Sequence, residues 1–312
     1  MRVELMIEGQ EDVTWPQWVA LARACEEHGV GTLFRSDHYL SVEGREERGS
    51  LDAWATMAGL AAVTSRLRLG VLVSPATFRH PSVLAKCVTT VDHISEGRVE
   101  LGLGAGWNER EHEAYGFDFP PLGTRMELLE EQLAVVRGAW ADGPFAFTGK
   151  HYRLAGVDAL PKPVQRPHPP LIVGGSAKPR TVRLAAQFAD EYNTVFATPA
   201  ECAERRSTVE RAWQDAGRDP ASLTFSVMVP WLIGTDAGDL QRRAARLATR
   251  QGSEPQALLE EFARVGVTGT LDEASARLRA YRDAGIDRIM LQHLLHDDLE
   301  AVALLPRLAA AL

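Results

Sequence analysis

Asp37 and His38 lie side by side in the run Phe34-Arg-Ser-Asp-His-Tyr39. Imidazole titrates near neutrality and an adjacent charge tunes it, so His38 is the first acid–base candidate, with Glu109 as a second carboxylate. A histidine that only hydrogen-bonds within the structure fits the same residues. Gly174-Gly175-Ser176 runs into a helix signal at Pro179. Free N–H groups at a helix start favour a phosphate, with Lys178 and Arg180 adding charge, although a tight turn needs glycine just as well. The glycines of Gly102-Leu-Gly-Ala-Gly106 have the spacing GxGxG, not the GxGxxG of a dinucleotide loop. Glu109-x-x-His112 has the spacing of half a di-iron site, but the second half is missing. His293-x-x-His296 brings two aspartates and no zinc set, so no metal is expected. No GxSxG elbow supports serine hydrolysis.

Strand-like and helix-like segments alternate around these residues. Val3–Ile7, Gly31–Arg35, Leu67–Val73, Arg98–Leu103, Leu171–Val173, Tyr192–Val195, Leu223–Ile233 and Ile286–Leu291 read as eight strands. The first helix takes Thr14 as N-cap and Pro16 in its first turn, with Trp15, Val19 and Ala22 on its inner face. Thr124/Glu127, Thr198/Glu201 and Thr270/Glu273 match the Thr-x-x-Glu capping box. Asp297–Leu312 reads as one closing helix. Eight strand–helix units without an internal linker predict an α/β fold, a single (β/α)8 TIM barrel over residues 1–312. An insertion at about 142–170 forms a short hairpin over the pocket. Chemistry then belongs at the strand ends: Asp37 and His38, Ser74, Gly104 to Glu109, Gly174 to Ser176, and His293.

The 312 residues are ordinary globular material, 45% hydrophobic and 24% charged. A net charge of −8 without a basic stripe argues against nucleic acid. No apolar run is long enough to span a bilayer, and Met1 leads straight into a strand, so a cytoplasmic location without membrane contact is expected. Three separated cysteines, Cys25, Cys87 and Cys202, suit a reducing compartment as small core residues.

Taken together, the strand ends resemble the luciferase-like flavin and deazaflavin oxidoreductases. The matching runs are Phe34–Tyr39, Thr77–Lys86, Val91–Asn108, Glu113–Phe117, Leu160–Val164 and Pro169–Gly175. The resemblance implies a homodimeric barrel with a flavin-type ring in its mouth, either coenzyme F420 or, alternatively, FMN in an oxygen-using monooxygenase. It implies that Asp37 contacts the ring edge, that Ser74 lies beside a non-prolyl cis peptide, and that Gly104, Gly106 and Asn108 line the cofactor. Gly174, Gly175 and Ser176 would hold its phosphate, and His38 would face a small-molecule substrate. The family's sugar-phosphate dehydrogenases carry a glutamate where Trp107 stands here. That departure points to an apolar substrate wall of Trp107, with His293 across the pocket. A flavin-binding protein without catalysis and a barrel lyase or isomerase are the other readings.

Overall fold

The computed structural model describes residues 1–312. Strands β1 (Arg2–Ile7), β2 (Thr32–Arg35), β3 (Arg68–Pro75) and β4 (Val99–Gly104) are followed by an outlying hairpin, β5 (Phe145–Thr148) and β6 (Arg153–Val157). Then come β7 (Leu171–Gly174), β8 (Glu191–Val195), β9 (Thr224–Gly234), β10 (Val267–Thr270) and β11 (Arg288–Gln292). Eight of these form a closed parallel barrel in the order β1-β2-β3-β4-β7-β8-β9-β11, and β11 pairs back onto β1 with Leu5 opposite Leu291. The helices are α1 (Trp15–His28), α2 (Ala53–Val63), α3 (Pro81–Ile94), α4 (Glu109–Tyr115), α5 (Leu122–Trp140) and α6 (Pro179–Phe188). They continue with α7 (Pro199–Asp215), α8 (Ala237–Gln251), α9 (Pro255–Val265), α10 (Leu271–Asp283), α11 (Leu299–Val302) and α12 (Leu305–Ala310). No helix is long and apolar enough to cross a membrane.

Local sequence sets most of the helix starts. Thr14 caps α1, with Gln17 returning a bond to its N–H (2.9 Å), and Gly29 ends the helix at φ 76°, a left-handed conformation that costs glycine little. Thr198 and Thr270 form the expected boxes with Glu201 and Glu273. Thr124 does not: α5 begins earlier, at Leu122 after Pro121, and Glu127 pairs with Lys150 and His151 instead. The inner face of α1 is Trp18, Leu21, Ala22 and Cys25, one step round from the expected face, while Trp15 lies partly exposed over Gly59. The closing helix divides into α11 and α12, because Pro306 lacks the N–H needed to continue a helix through Ala303 and Leu304. Between β9 and the Thr270 box the chain also makes α8, α9 and the unforeseen β10, which pairs with the far half of β9. Within the insertion, expected as a hairpin over the pocket, β5 and β6 pair antiparallel. The hairpin packs against α3 and α5, with Tyr152 reaching the loop after β3 through Gln132.

Inside the barrel the side chains are tiered. At the N-terminal end Arg288 bridges Glu100 (2.8 Å) and Glu191 (2.5 Å). Glu4 beside them accepts from Thr32 N–H (2.7 Å), and burial pushes its carboxyl up to about 7 against the pull of Arg288. Above lies an apolar tier of Met6, Phe34, Leu72, Ile172, Met228 and Met290, with Val73 at its edge. Between Val71 and Ser74, β3 bulges against β4. A Cβ on Gly102 would stand 2.5 Å from the Val71 carbonyl, and one on Gly104 would stand 2.8 Å from Val73 Cγ2. These glycines make room for the bulge, so their GxG spacing has a packing origin. Gly102→Ala is therefore expected to lose about 1–3 kcal/mol in denaturant unfolding. Gly123→Ala, where a Cβ meets nothing within 4 Å, should leave stability level or slightly raised. Equal behaviour of the two variants would contradict the packing origin.

Candidate active site

The bulge turns Ser74 into the mouth. Its hydroxyl accepts from Trp54 Nε1 (2.9 Å) and donates to Asp37 Oδ2 (2.8 Å). A cis peptide joins Leu72 to Val73, just before Ser74 as the resemblance implied. Asp37 is buried, and Arg79 from the loop after β3 grips both its oxygens, at 2.6 Å and 3.2 Å. The same guanidinium reaches Asp52 (2.6 Å) and the Tyr39 hydroxyl (2.9 Å). Asp37 is thus a buried carboxylate with its own cation, and any ligand contact must share its oxygens. Removing one partner of such a pair leaves an uncompensated charge. Arg79→Met should cost about 3–5 kcal/mol, and the double variant with Asp37→Asn should recover most of it; full additivity in melting experiments would deny the pairing.

His38 sits at the mouth with its side chain 14% exposed. Nδ1 lies 2.8 Å from Glu111 Oε2, Nε2 has no partner within the chain, and the ring meets the edge of Trp107 at 5.5 Å. Burial by itself lowers the imidazole pKa, and the Glu111 bond and charge more than offset this, so it ends above its ordinary value. Glu111 comes from α4. Glu109 is exposed on that helix: two residues turn a helix by roughly 200°, so when Glu111 faces His38, Glu109 faces solvent. Asn108 precedes α4, does not cap it with its side chain, and offers its carbonyl to His112 Nδ1 (2.6 Å). Trp107 is 64% exposed, an uncovered apolar wall beside His38. His293 is buried against Trp231 with Nε2 3.2 Å from the Asp298 carbonyl, and burial lowers its pKa to about 4. His296, expected at an exposed helix start, is also buried.

The other glycines divide in role. Gly106 has φ 79°, and a Cβ there would press on Thr77 Oγ1 at 2.9 Å. Gly174 has no room for a Cβ against the Asn193 carbonyl (2.8 Å), and Gly175 donates its N–H to that same carbonyl (2.9 Å). Gly175 therefore has no N–H to spare, and the Ala177 N–H is committed to the Tyr192 hydroxyl. The backbone N–H groups of Ser176, Lys178, Arg180 and Thr181 are left without partners in the chain, grouped at the start of α6.

Three mouth residues escaped the sequence reading. Glu8, just past β1, accepts from Gln10 (2.8 Å) and from Gln292 at the end of β11, so it stands in the mouth with amide partners and no cation. Arg79 and Glu111 are the others. The run Glu8-Gly-Gln directly after a strand was a usable signal for the first. Nothing in local spacing marks Glu111 over Glu109.

Acid–base groups, an apolar floor and free backbone donors thus meet at the C-terminal ends of the strands, where (β/α)8 enzymes do their chemistry. A family model for luciferase-like monooxygenase matches residues 2–288, and the chain belongs to that family of oxidoreductases. Among its relatives, an uncharacterised protein of Mycobacterium tuberculosis is 30% identical over 246 residues, 73% of this chain and 82% of that one. The pyrimidine monooxygenase RutA of Pseudomonas syringae pv. syringae is 31% identical over 217 residues, 67% of this chain and 57% of that one. The fold is shared with an F420-dependent secondary alcohol dehydrogenase in complex with an F420–acetone adduct (TM-score 0.84, 20% identity, 100% of this chain and 99% of that one). It is shared equally with the monooxygenase RslO1 of Streptomyces bottropensis (TM-score 0.84, 23% identity, 99% and 98%).

Proposed function

We propose that the protein is a coenzyme F420-dependent oxidoreductase acting on a small, hydrophobic organic substrate, with His38 exchanging the proton that accompanies hydride transfer. The observation that carries this reading is His38 itself, an imidazole fixed at Nδ1 with Nε2 free at the barrel mouth. The residues present fit a flavin-type group. The apolar tier with Val73 offers a floor for a planar ring, and the four free N–H groups at the start of α6, with Lys178 and Arg180, suit a phosphate. Ser176 belongs to that cradle, while Gly174 and Gly175 shape the turn. Ser74, Gly104, Gly106 and Asn108 border the ring's place, and Asp37 reaches it while paired to Arg79. Bound there, the deazaflavin supplies or accepts the hydride. The chain's residues seat the ring, exclude water over the floor and hold the proton at Nε2. Trp107 gives the substrate an apolar wall.

An FMN-dependent monooxygenase is the second reading, and the likeness to RutA, a monooxygenase, supports its oxygen chemistry. Titration of the purified protein, followed by the fluorescence of its seven tryptophans, should show tighter binding of F420 than of FMN. Tighter FMN binding with oxygen-dependent turnover would establish the second reading instead. His38→Ala should lower turnover by about 10²–10⁴-fold while cofactor affinity changes little. Near-normal turnover at full cofactor occupancy would remove His38 from the chemistry.

A further inference from the structure

Glu111 is a firmly held carboxylate of the mouth. It lies in the first turn of α4 with its side chain 1% exposed. One oxygen accepts from the backbone N–H groups of Tyr39 and Leu40, the latter at 3.1 Å, and the other meets His38 Nδ1 at 2.8 Å. A single carboxylate thus clamps three consecutive residues of the loop after β2.

The clamp is anchored independently of His38. On α4 and the turn after it, Phe117 packs against Phe78 (4.9 Å between ring centroids) and Tyr39 (6.0 Å). His112, one residue past Glu111, has Nε2 against Thr77 Oγ1 (2.6 Å) and Nδ1 against the Asn108 carbonyl. The helix is therefore docked onto the loops after β2 and β3 by contacts that do not involve the His38 ring. The charges facing His38 from its surroundings are Glu111 on α4, Glu8 at the end of β1, and Asp37 on its own loop, the last neutralised by Arg79.

We infer that Glu111 acts through His38 as a positioning residue, gripping Nδ1 so that Nε2 is presented to the barrel mouth as the group that exchanges a proton with substrate. The role rests on reading this mouth as the active site; the grip itself does not. A proton given up at Nε2 leaves a neutral ring whose Nδ1–H is still donated to Glu111, so the carboxylate never has to take a proton. This direction of bonding fixes one tautomer and one ring orientation.

Electrostatics agree with the geometry. Burial pushes the Glu111 carboxyl up, but the His38 bond and the two backbone donors outweigh it and hold it below the ordinary 4.5. His38 lies above 6.5. A raised histidine stabilises the fold fully below its ordinary value and loses that contribution as pH rises through its folded midpoint. A lowered carboxylate contributes above its ordinary value and loses it as pH falls. The pair therefore contributes most between about pH 4.5 and 6.5.

The test uses the full chain labelled with ¹⁵N-histidine, with His38→Gln to assign the resonance, and compares the parent with Glu111→Gln and Glu111→Asp. In Glu111→Gln, His38 should titrate at lower pH than in the parent and lose its single tautomer, and Glu111→Asp should restore much of both. The melting deficit of Glu111→Gln should be larger at pH 5.5 than at pH 8.5. Turnover per cofactor-occupied site should fall roughly 10–100-fold, as expected when a partner that orients a reactive group is lost. An unchanged His38 titration in folded Glu111→Gln overturns the inference, as does undiminished turnover at occupied sites. If Glu111→Gln fails to fold, a parent His38 that titrates below 6.5 overturns it. A parent that binds neither F420 nor FMN would sink the functional reading and the proton-exchange role, while a shifted titration would still establish the grip.

Discussion

The mouth of the barrel is organised by the bulge that lets β3 outrun β4 between Val71 and Ser74. The bulge throws Val73 against β4, which is why that strand carries Gly102 and Gly104 where side chains would otherwise interdigitate. It also turns the Ser74 hydroxyl between the Trp54 N–H and Asp37, so that one oxygen both accepts and donates. Asp37 is buried by the same construction, and a buried carboxylate needs a counter-charge, which Arg79 delivers from the loop just beyond the strand. Arg79 then fixes Tyr39 and Asp52, and with them the loop that presents His38.

Two charged tiers face each other across the apolar tier, and they differ in what they leave unpaired. At the N-terminal end Arg288 is shared by two glutamates and Arg68 adds a second cation to Glu100 at 2.8 Å, while Glu4 has only a backbone donor and Arg288 Nε is left without a partner. At the mouth the pairing stops short: His38 keeps Nε2 free, Glu8 has only amide partners, and four backbone N–H groups point out of the start of α6. What sets the mouth apart is an apolar tier bordered by an imidazole nitrogen and backbone N–H groups that have no partner within the chain.

Much of this was legible in the residues. Strand periodicity located all eight barrel strands, and Thr14, Thr198 and Thr270 marked real helix starts because an N-cap is decided within four residues of chain. The same rule misread Thr124, where Pro121 had already started the helix. Strand β10 escaped because Val267-Thr-Gly-Thr270 has a single large apolar residue, whereas the equally short β2 and β7 have two and three. Candidates lying in one stretch of chain, such as Asp37-His38, could be proposed from the residues, whereas Gly175, proposed for a phosphate, proves to spend its N–H on the Asn193 carbonyl. The site was not legible where distant segments meet: Arg79 with Asp37, Glu111 with His38, and Glu8 with Gln292 are settled by how loops cross the mouth. Glu109, proposed from the residues, is exposed while Glu111 meets His38, a difference of helix phase that depends on where α4 docks.

The long strand β9 belongs to the barrel through its first half and to β10 through its second, where α8 and α9 close over a small apolar cluster of their own with Leu232, Leu258 and Phe262. The link from this unit to the loop after β2 is polar: Arg48 to the Arg250 carbonyl (2.7 Å) and Gln251 to Glu43 (2.7 Å). Arg243 of α8 adds a buried ion pair to Asp298, which lies beyond β11 (2.9 Å). The wall that carries its own core is thus fastened to the barrel twice, by the unbroken backbone of β9 and by a buried charge pair.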